Sequence, residues 1–396
     1  MKVLHLASWI GRESTGLGRV SAGLMKSQRN IGIDAQIWTM DASDELDFVS
    51  EAEALDRGQI RGFAINGPSR LRYSSELISA IQSPVGMEFD ILHQQGIWQA
   101  TSIAANKWRS SKRGPTIVAP QGSLSPWALS VSKWRKKLAS GWYEDRNLHQ
   151  AACLHAGAED ERQYMRDYGL QNPIATIPNG VPDEWLSTEG DAEAFRQKHN
   201  IPADKRIFFF LSRITPKKGI PMFLEAMASV PEASKNWHFV IAGFEEFGHL
   251  AEVRATADRL GLTASLTFPG SLYGEDKANA FALSDICVLP SYSEGAPMIV
   301  LDSLGAGVPV LTTQGTPWEV LNEKDAGWWT EITAEALAKA IVKADSLSSD
   351  ELKEMGLRGR ELVKEQYSWG SIALRMEALY TWLLQGGTAP DFVSFK

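Results

Sequence analysis

Two cations lie close together in the segment Ser212 to Gly219, which reads SRITPKKG. Arg213 and Lys218 are five residues apart, directly after the apolar run Arg206 to Leu211, which predicts a buried strand. Both cations can therefore reach one pyrophosphate, which Arg binds as a fork and Lys as a point charge. The adjacent Lys217 is predicted to be a solvated neighbour. The alternative is a pair of exposed loop cations without a ligand.

Two carboxylates follow another apolar run, Asp285 to Pro290, which predicts a second buried parallel strand. Glu294 lies in the Gly- and Pro-broken loop after this strand, and Asp302 comes eight residues later. They are placed to accept hydrogen bonds from two ends of one ligand, and sugar hydroxyls are the obvious donors. The alternative is a solvated loop Glu and a helix-face Asp in an ordinary Rossmann-like unit.

A helix that begins after Glu294 and contains Asp302 is predicted, because apolar residues recur at helical spacing from Met298 to Gly305. Its N-terminus, at Pro297, Met298 and Ile299, faces the loop. A helix N-terminus at the carboxyl end of a parallel strand suits an anionic ligand, and a nucleotide diphosphate fits there.

Both motifs resemble the signature of retaining glycosyltransferase family 4, in which R-x4-K-G is followed by S-x-x-E-G and by a second Glu eight residues after the first. The resemblance implies that Glu294 holds hydroxyls of the donor sugar, and that Asp302 holds the nucleotide ribose in place of the second Glu. It implies that Arg213 and Lys218 stabilise the leaving nucleotide diphosphate. It also implies retention through a front-face attack, in which the leaving phosphate takes the acceptor's proton.

A further segment, VAPQGSLSPWAL, resembles a P-H-G-M-x-x-P-W-A-L pattern of relatives that build bacterial surface polysaccharides. The family His contacts the donor sugar and the reaction centre, and Gln121 stands in its position. Gln forms hydrogen bonds but carries no charge near pH 7, so a role that needs a protonated imidazole is lost. We expect a different mode of sugar binding or slower turnover. His93 could compensate, with a structural role as its alternative.

Glycines mark two other candidate donor-binding stretches. Gly16 and Gly18 lie in a glycine-rich turn predicted between the first strand and the first helix. G-x-G alone is a weak signal, and without the third glycine of the dinucleotide fingerprint it predicts no NAD site. The family resemblance implies contact of this turn with the donor phosphates and the acceptor. The nucleobase, uracil or guanine, is predicted at Gly270 and Leu272, where backbone at a strand end can read a base edge.

Strand-like runs alternate with helical stretches along the chain, which predicts an α/β fold with doubly wound parallel sheets. The alternation restarts after the turn-rich PNGVP, Pro178 to Pro182. We expect an acceptor-binding domain at 1–182 and a nucleotide-sugar-binding domain at 183–368. A helix at 369–386 is expected to return to the first domain, followed by a loose tail at 387–396. Two Rossmann-like domains facing one cleft make the GT-B architecture, which the resemblance also implies.

The bulk composition narrows the class of protein. The chain has 396 residues, a net charge of −8 and two cysteines, Cys153 and Cys287, both in apolar runs. These values favour about two globular domains without a disulfide framework, in a reducing cytoplasm. No signal peptide, membrane-spanning run or nucleic-acid partner is predicted. No D-x-D loop or His/Cys cluster has metal-ligand spacing, so neither a metal nor another cofactor is expected.

One stretch of the first domain is unusually basic. From Ile91 to Tyr143 the chain has eight Lys and Arg residues interleaved with tryptophans, and it has no acid. The segment of Lys133, Trp134, Arg135, Lys136 and Lys137 is predicted to be a short basic amphipathic helix on the cytoplasmic leaflet, near a lipid-linked acceptor. A solvated charged face is the alternative.

Together these features predict a hexosyltransferase that uses a UDP- or GDP-sugar donor and a glycan or lipid-linked acceptor in polysaccharide or glycolipid biosynthesis. A sugar-nucleotide epimerase or a phosphorylase on the same architecture is an alternative, although neither a set of catalytic carboxylates nor a pyridoxal lysine stands out. A non-catalytic partner subunit is another alternative. Gln121 and Asp302 motivate it, whereas the intact Arg213, Lys218 and Glu294 speak against it.

Overall fold

The structure is a computed structural model, and it describes residues 1–11, 15–52, 55–295 and 297–396. Residues 12–14, inside the predicted glycine-rich turn, lie outside the described residues. The chain divides into two compact units. Unit 1 comprises Met1–Gly180 and Trp369–Lys396, and unit 2 comprises Val181–Ser368. The first boundary thus precedes the predicted one by two residues, and the second coincides with it.

Each unit is built on a mainly parallel sheet. The strands are β1 Lys2–Ala7, β2 Asp34–Thr39, β3 Ile60–Gly62, β4 Ile91–Gln95, β5 Thr116–Ala119, β6 Cys153–Ala156, β7 Ile174–Thr176, β8 Arg206–Leu211, β9 Trp237–Ala242, β10 Leu266–Gly270, β11 Ile286–Leu289, β12 Val310–Thr313, β13 Gly327–Thr330 and β14 Val393–Ser394. In the described residues, the strand order is β14-β7-β6-β5-β4-β1-β2-β3 in unit 1 and β10-β9-β8-β11-β12-β13 in unit 2. In each sheet the chain starts at a central strand, builds outward and then crosses to the other side. Both units are therefore doubly wound.

Helices connect the strands. They are α1 Thr15–Asn30, α2 Ser43–Ala52, α3 Ser75–Gln82, α4 Pro84–Met87, α5 Ala100–Lys112, α6 Pro126–Ser130, α7 Lys133–Ala139, α8 Asp145–His149, α9 Glu159–Asp167, α10 Ala192–Lys198, α11 Ile220–Ser229, α12 Pro231–Ser234, α13 His249–Arg259, α14 Gly274–Leu283, α15 Met298–Gly305, α16 Val320–Glu323, α17 Ala334–Ser346, α18 Ser349–Gln366 and α19 Trp369–Gln385. A π-helical turn, Ser140–Glu144, joins α7 to α8 without a break. The helix predicted beside Glu294 is observed with the predicted bounds, Met298–Gly305.

The core of unit 2 shows why its strands read as continuous apolar runs. Phe208, Phe209 and Phe210 on β8 are all fully buried, although successive side chains point to opposite faces of the sheet. A strand that is buried on both faces needs apolar residues at every position, which is typical of a parallel sheet covered by helices. Cys153 in unit 1 and Cys287 in unit 2 are both buried and unpaired.

The last helix belongs to unit 1, because α19 packs against α1. The Trp369 indole lies so close to Gly23 and Gly180 that a side chain at either glycine would collide with it. Further along α19, the buried Tyr380 hydroxyl accepts a hydrogen bond of 2.9 Å from Gln28. Packing and this buried hydrogen bond together fix α19 on unit 1.

The sequence interpretation of the end of the chain was wrong. The end of the chain is not a loose tail, because Val393–Ser394 forms β14 and pairs antiparallel with β7. An edge strand offers unpaired backbone groups, and the chain end satisfies them. After β2, the chain forms α2 and then β3, which extends the sheet beyond β2.

Candidate active site

The candidate site lies at the topological switch point of the unit 2 sheet. Strands β8 and β11 are neighbours there, and the chain leaves them towards opposite sides of the sheet. Open α/β sheets bind ligands outside the carboxyl ends of the strands at such a point, because the two departing loops leave a crevice between them. Lys218 follows β8, and Glu294 follows β11. The fold therefore brings together two residues that are 76 positions apart in the sequence.

The two loops are fixed to each other by backbone contacts. The Tyr292 amide donates a hydrogen bond of 2.9 Å to the Lys217 carbonyl. Gly219 has a φ of +67°, and a Cβ atom there would lie only 2.1 Å from the Pro290 carbonyl oxygen. Only glycine tolerates both the left-handed conformation and this close approach. The glycine of the R-x4-K-G motif thus lets the β8 loop press against the end of β11.

Lys218 and Glu294 form a buried ion pair. The Lys218 Nζ atom lies 2.6 Å from Glu294 Oε1, and the two side chains are 8% and 12% exposed. The Ser291 hydroxyl donates a second hydrogen bond of 2.7 Å to the same carboxylate oxygen. Burial lowers the pKa of Lys218, and the attraction of Glu294 only partly opposes that effect. Since the pair keeps two charges in a mostly dry position, it is a candidate functional feature rather than an efficient stabilising one.

The loop that carries Glu294 is also held by the end of the neighbouring strand β12. The Glu294 amide donates a hydrogen bond of 2.6 Å to the Gly315 carbonyl. The Thr313 hydroxyl donates to the Ser291 carbonyl, and the Thr312 hydroxyl donates to the Leu289 carbonyl at 2.7 Å. These bonds join the loops after β11 and β12, so the Glu294 carboxylate is pre-oriented next to Lys218.

Arg213 follows β8 directly, but it is paired differently from Lys218. Its Nη1 atom lies 3.1 Å from both carboxylate oxygens of Glu246, which follows the neighbouring strand β9. The Arg213 side chain is half exposed. Its charge still acts on Lys218, because Arg213 and Lys217 both contribute to lowering the pKa of Lys218. The two predicted cations thus share one edge of the sheet, and a ligand anion would compete with Glu246 for Arg213.

The N-terminus of α15 lies just beyond Glu294. Pro297 is the residue before the helix, and its ring is buried. Met298 and Ile299 form the first turn, where backbone N–H groups have no partner within the helix. The Ile299 side chain belongs to the core of unit 2, so only its backbone is placed for a ligand.

Asp302 lies deeper in α15 and is buried. Its Oδ2 atom lies 2.7 Å from the Nζ atom of Lys277 on α14. Lys277 in turn lies over the Trp185 ring, 4.4 Å from its centroid, and the Trp185 indole donates a hydrogen bond of 2.7 Å to the Asp302 carbonyl. The shorter carboxylate at the position of the second family Glu therefore has a cation of its own in this structure.

The predicted base-reading stretch lies at the end of β10, an edge strand of the unit 2 sheet. Gly270 is exposed with a φ of +83°, and its carbonyl accepts a hydrogen bond of 2.8 Å from Gly243. Leu272 is buried in the core of unit 2. Its backbone alone is therefore placed for a base, as the sequence interpretation requires.

In unit 1, the predicted loop glycines lie elsewhere than expected. Gly16 and Gly18 are both in the first turn of α1 rather than in the loop before it. The interpretation of the stretch as an extended glycine-rich turn placed the helix start too late. Glycine has low helix propensity but is tolerated in a first turn, where tertiary packing determines where the helix begins.

Gln121 lies just after β5, also in unit 1. It adopts a left-handed backbone conformation with a φ of +52°, and its side-chain amide donates a hydrogen bond of 3.0 Å to Gln95. The next amide, of Gly122, donates to the carboxylate of Glu161, which also accepts a 2.7 Å bond from Gly157. Burial raises the pKa of Glu161, while these backbone bonds oppose that effect. The buried Glu161 carboxylate thus holds the backbone of the turn at Gln121 in place.

His93 is not exposed to a ligand at the Gln121 turn. It is fully buried on β4, where its Nδ1 atom lies 2.9 Å from the Tyr380 hydroxyl. Two further buried histidines flank it, with ring centroids 5.3 Å away for His5 and 5.2 Å away for His155. Burial lowers the pKa of His5 and His155 to about 4, and burial together with the neighbouring histidines holds the pKa of His93 well below its ordinary value. His93 therefore has the structural role that was the alternative in the sequence interpretation.

Of the predicted basic patch, one base points inward. Lys136 donates a hydrogen bond to the Ala128 carbonyl and lies over the Trp98 ring, and burial lowers its pKa. Lys133, Arg135 and Lys137 are exposed. The four-base face is therefore a three-base face, because a helix can present only part of its circumference to solvent.

Sequence reasoning missed four side chains that complete the observed pairs. Ser291 is the serine of the S-x-x-E-G motif, so that motif was the available signal for its contact with Glu294. Glu246, Lys277 and Glu161 come from distant parts of the chain, and no local pattern assigns them to Arg213, Asp302 and the Gln121 turn.

Two structural features are absent from the described residues. No cluster of three or more His, Cys, Asp and Glu side chains is arranged to hold a metal ion there. None of the helices in this part of the chain combines the length and the apolar composition needed to cross a bilayer.

Comparison with solved structures defines the class of fold. The Anabaena Alr3699/HepE protein, crystallised in complex with UDP, superimposes with a TM-score of 0.77. The two chains are 17% identical, and the match covers 95% of this chain and 98% of the Anabaena chain. The protein therefore has the GT-B fold, with two Rossmann-like units.

Comparison with family models then gives the family. The model "Glycosyl transferases group 1" matches residues 191–361, and the model "Glycosyl transferase 4-like domain" matches residues 15–180. The chain belongs to the group 1 glycosyltransferases of the family 4 type.

Two curated relatives cover parts of the chain. The D-inositol 3-phosphate glycosyltransferase of Segniliparus rotundus is 26% identical over 250 residues, which are 62% of this chain and 55% of the relative. The GDP-mannose-dependent alpha-(1-6)-phosphatidylinositol monomannoside mannosyltransferase of Mycobacterium tuberculosis is 25% identical over 227 residues, which are 54% of this chain and 57% of the relative. The chain thus matches little more than half the length of each relative.

Proposed function

We propose that this protein is a retaining, metal-independent glycosyltransferase. It would transfer a hexose from a UDP- or GDP-linked donor to a glycan or lipid-linked acceptor in polysaccharide or glycolipid biosynthesis. The observation that carries this proposal is the buried Lys218–Glu294 pair at the switch point of unit 2. A cation and a carboxylate held side by side at an anion-binding edge match the two parts of a nucleotide sugar, which are a diphosphate and a ring of hydroxyls.

In the proposed reaction, Lys218 and Arg213 bind the diphosphate. The bond between the sugar C1 atom and the phosphate oxygen breaks, and negative charge develops on that oxygen. Fixed cations and the N–H groups of the first turn of α15 stabilise this charge in the transition state without reorganising. Arg213 exchanges its exposed contact with Glu246 for the diphosphate, which costs little because an exposed ion pair is weak.

The Glu294 carboxylate accepts hydrogen bonds from donor-sugar hydroxyls. Lys218 and Ser291 both contact its Oε1 atom, so Oε2 is the oxygen that would accept hydrogen bonds from the sugar. An acceptor hydroxyl attacks C1 from the face of the departing phosphate, and the phosphate oxygen takes its proton. One C–O bond breaks, one C–O bond forms and the configuration at C1 is retained.

Both nucleobases remain candidates. The Anabaena protein was crystallised with UDP, whereas the Mycobacterium tuberculosis relative is named as GDP-mannose-dependent. Gly270, Leu272 and Gly243 at the ends of β9 and β10 offer backbone groups to a base, and Asp302 is the candidate for the ribose. The intact Lys218–Glu294 pair favours an enzyme over a non-catalytic partner subunit.

A ligand screen tests the donor assignment. Purified protein is heated with UDP, GDP, AMP and the common UDP- and GDP-sugars. A ligand at 100 times its dissociation constant stabilises the native state by about 2.7 kcal/mol, which raises the melting temperature of a domain of this size by about 5–10 °C. We expect such a shift with one nucleoside diphosphate and none with AMP. Absence of any shift with UDP and GDP sugars would contradict the proposal.

A turnover assay tests the reaction type. With the donor found in the screen, the anomeric configuration of the product is read by NMR, and retention is expected. A chelator is expected to leave the rate unchanged. An inverted product would refute the front-face reaction, and a dependence on Mg²⁺ or Mn²⁺ that persists when product release is excluded would refute metal independence.

A further inference from the structure

A continuous helical segment in unit 1 presents two very different faces. It runs from α7 through the π-helical turn into α8. Its inner face is fixed to the unit, because the Tyr143 hydroxyl donates 2.9 Å to the Trp98 carbonyl and the Ser140 and Tyr168 hydroxyls lie 2.9 Å apart. Glu144, fully buried, accepts 2.7 Å from the Trp98 amide. The outer face therefore has a defined orientation.

The outer face carries a stripe of large apolar side chains. Trp134, Leu138 and Trp142, here called the apolar stripe, are 64%, 66% and 73% exposed. They are spaced at i, i+4 and i+8, so they lie one above the other along the helix. Single exposed apolar residues are common, but a contiguous row that includes two tryptophans marks an interaction site.

Three bases flank the apolar stripe, two on one side and one on the other. At 100° per residue, Lys133 and Lys137 fall on one side of Trp134 and Arg135 falls on the other. All three are exposed, and the Arg135 guanidinium lies 5.1 Å from the centroid of the Trp134 ring. Lys136 is excluded from these flanking bases because it points inward.

The chemistry of this face selects its partner. No acid occurs from Ile91 to Tyr143, so this stretch supplies no counter-charge for the three bases, and a partner that carries negative charge matches the face. A second copy of the chain is disfavoured, because a two-fold interface would place each set of flanking bases opposite its own copy. An anionic lipid surface supplies both halves of the match: phosphates for the bases, and an interface where tryptophan is favoured.

We propose that this face docks on an anionic lipid surface, with the helical segment lying in the plane of the interface. The indoles of Trp134 and Trp142 enter the headgroup level, Leu138 reaches the acyl boundary, and Lys133, Arg135 and Lys137 contact lipid phosphates. Docking through a stripe of three apolar residues and three bases is peripheral and reversible.

The test is sedimentation of the full chain with vesicles of phosphatidylcholine, with and without phosphatidylglycerol, at low and high salt. We expect binding only with phosphatidylglycerol, weakened by salt. Each base near an anionic surface contributes about fivefold to the partition coefficient, so the triple change Lys133→Gln, Arg135→Gln and Lys137→Gln should lower it by about 100-fold. The triple change Trp134→Ser, Leu138→Ser and Trp142→Ser should abolish binding at either salt concentration.

Two matched controls separate the docking face from charge in general. Lys136→Gln removes a base of the same helix that points inward, and it should change the partition coefficient less than threefold. The second control replaces exposed bases on other elements of unit 1, namely Arg70→Gln, Lys107→Gln and Lys112→Gln. Melting temperatures with and without the nucleotide found in the screen verify that each variant is folded and that nucleotide binding is unchanged.

The outcomes are distinct. Loss of vesicle binding in both face variants, with both controls retaining it, supports the docking face. Wild-type protein that does not sediment with phosphatidylglycerol vesicles at low salt overturns it, as does an apolar-stripe variant that binds like wild type. Self-association of the lipid-free protein that the apolar-stripe variant abolishes assigns the face to a second copy and also overturns it. None of these outcomes depends on glycosyl transfer.

Discussion

Replacing Lys218 separates two contributions of the buried pair, one to stability and one to catalysis. Lys218→Met keeps the length and most of the apolar stem of the side chain but removes its charge. Glu294, whose side chain is only 12% exposed, then keeps its hydrogen bond from Ser291 and loses its cation. Breaking a buried pair by removing one partner costs about 3–5 kcal/mol, and partial access of water to Glu294 places this case near about 3 kcal/mol.

The double variant Lys218→Met/Glu294→Gln distinguishes the two contributions. With both charges removed, no uncompensated ion is left, so the free energy of unfolding should return to within about 1 kcal/mol of wild type. Transfer should not recover. Each single variant, including Glu294→Ala and Lys218→Ala, and the double variant should lose a factor of about 10²–10³ in rate, the usual size of one transition-state contact.

The assay combines urea unfolding with initial rates of transfer for the same preparations. Lys217→Met is the matched control, because it removes the neighbouring charge and leaves the Lys218–Glu294 pair intact; we expect a rate within about threefold of wild type. The site assignment is refuted if Lys218→Met and Glu294→Ala both keep activity within threefold of wild type. A double variant as unstable as the sum of its singles would refute the burial argument instead.

Three other predictions concern residues outside that pair. Arg213→Lys should weaken both transfer and the affinity for the nucleotide diphosphate, because one ammonium cannot reproduce a bidentate fork on phosphate. Unchanged affinity in calorimetry would show that Arg213 remains paired with Glu246 in the complex. Gln121→His should change the donor-sugar preference or the rate of transfer and leave nucleotide affinity unchanged. Histidine tolerates the left-handed backbone conformation at this position. If neither the sugar preference nor the rate changes, this turn lies outside the site. Buried His5 and His155, with pKa values of about 4, should lower stability as the pH drops from 6.5 towards 4, because the unfolded chain takes up protons that these rings do not. Each contributes at most about 3 kcal/mol, present above pH 6.5, and ring NMR signals that titrate near pH 6.5 in the folded protein would contradict the buried cluster.

The sequence determined the strand ends and the residue types placed there. Apolar runs such as β8 and the helix at Met298–Gly305 follow from periodicity, which is a local property of the chain. Because parallel strands align their carboxyl ends, placing Lys218 after one strand and Glu294 after another was enough to predict that both face the same edge. The GT-B fold and the family could be inferred from the same motifs.

Only the tertiary structure determined which charged side chains form pairs. Arg213 pairs with Glu246, Asp302 with Lys277, and neither partner has a local signal, since each comes from another loop or helix. The same holds for β14, which pairs with a strand more than 200 residues earlier. Lys136 turns inward although three neighbouring bases do not, because helix phase is set by packing against the unit. Local sequence fixes which groups are available at a strand end or helix face. Their partners depend on strand order and loop contacts, which distant segments supply and no short-range preference encodes.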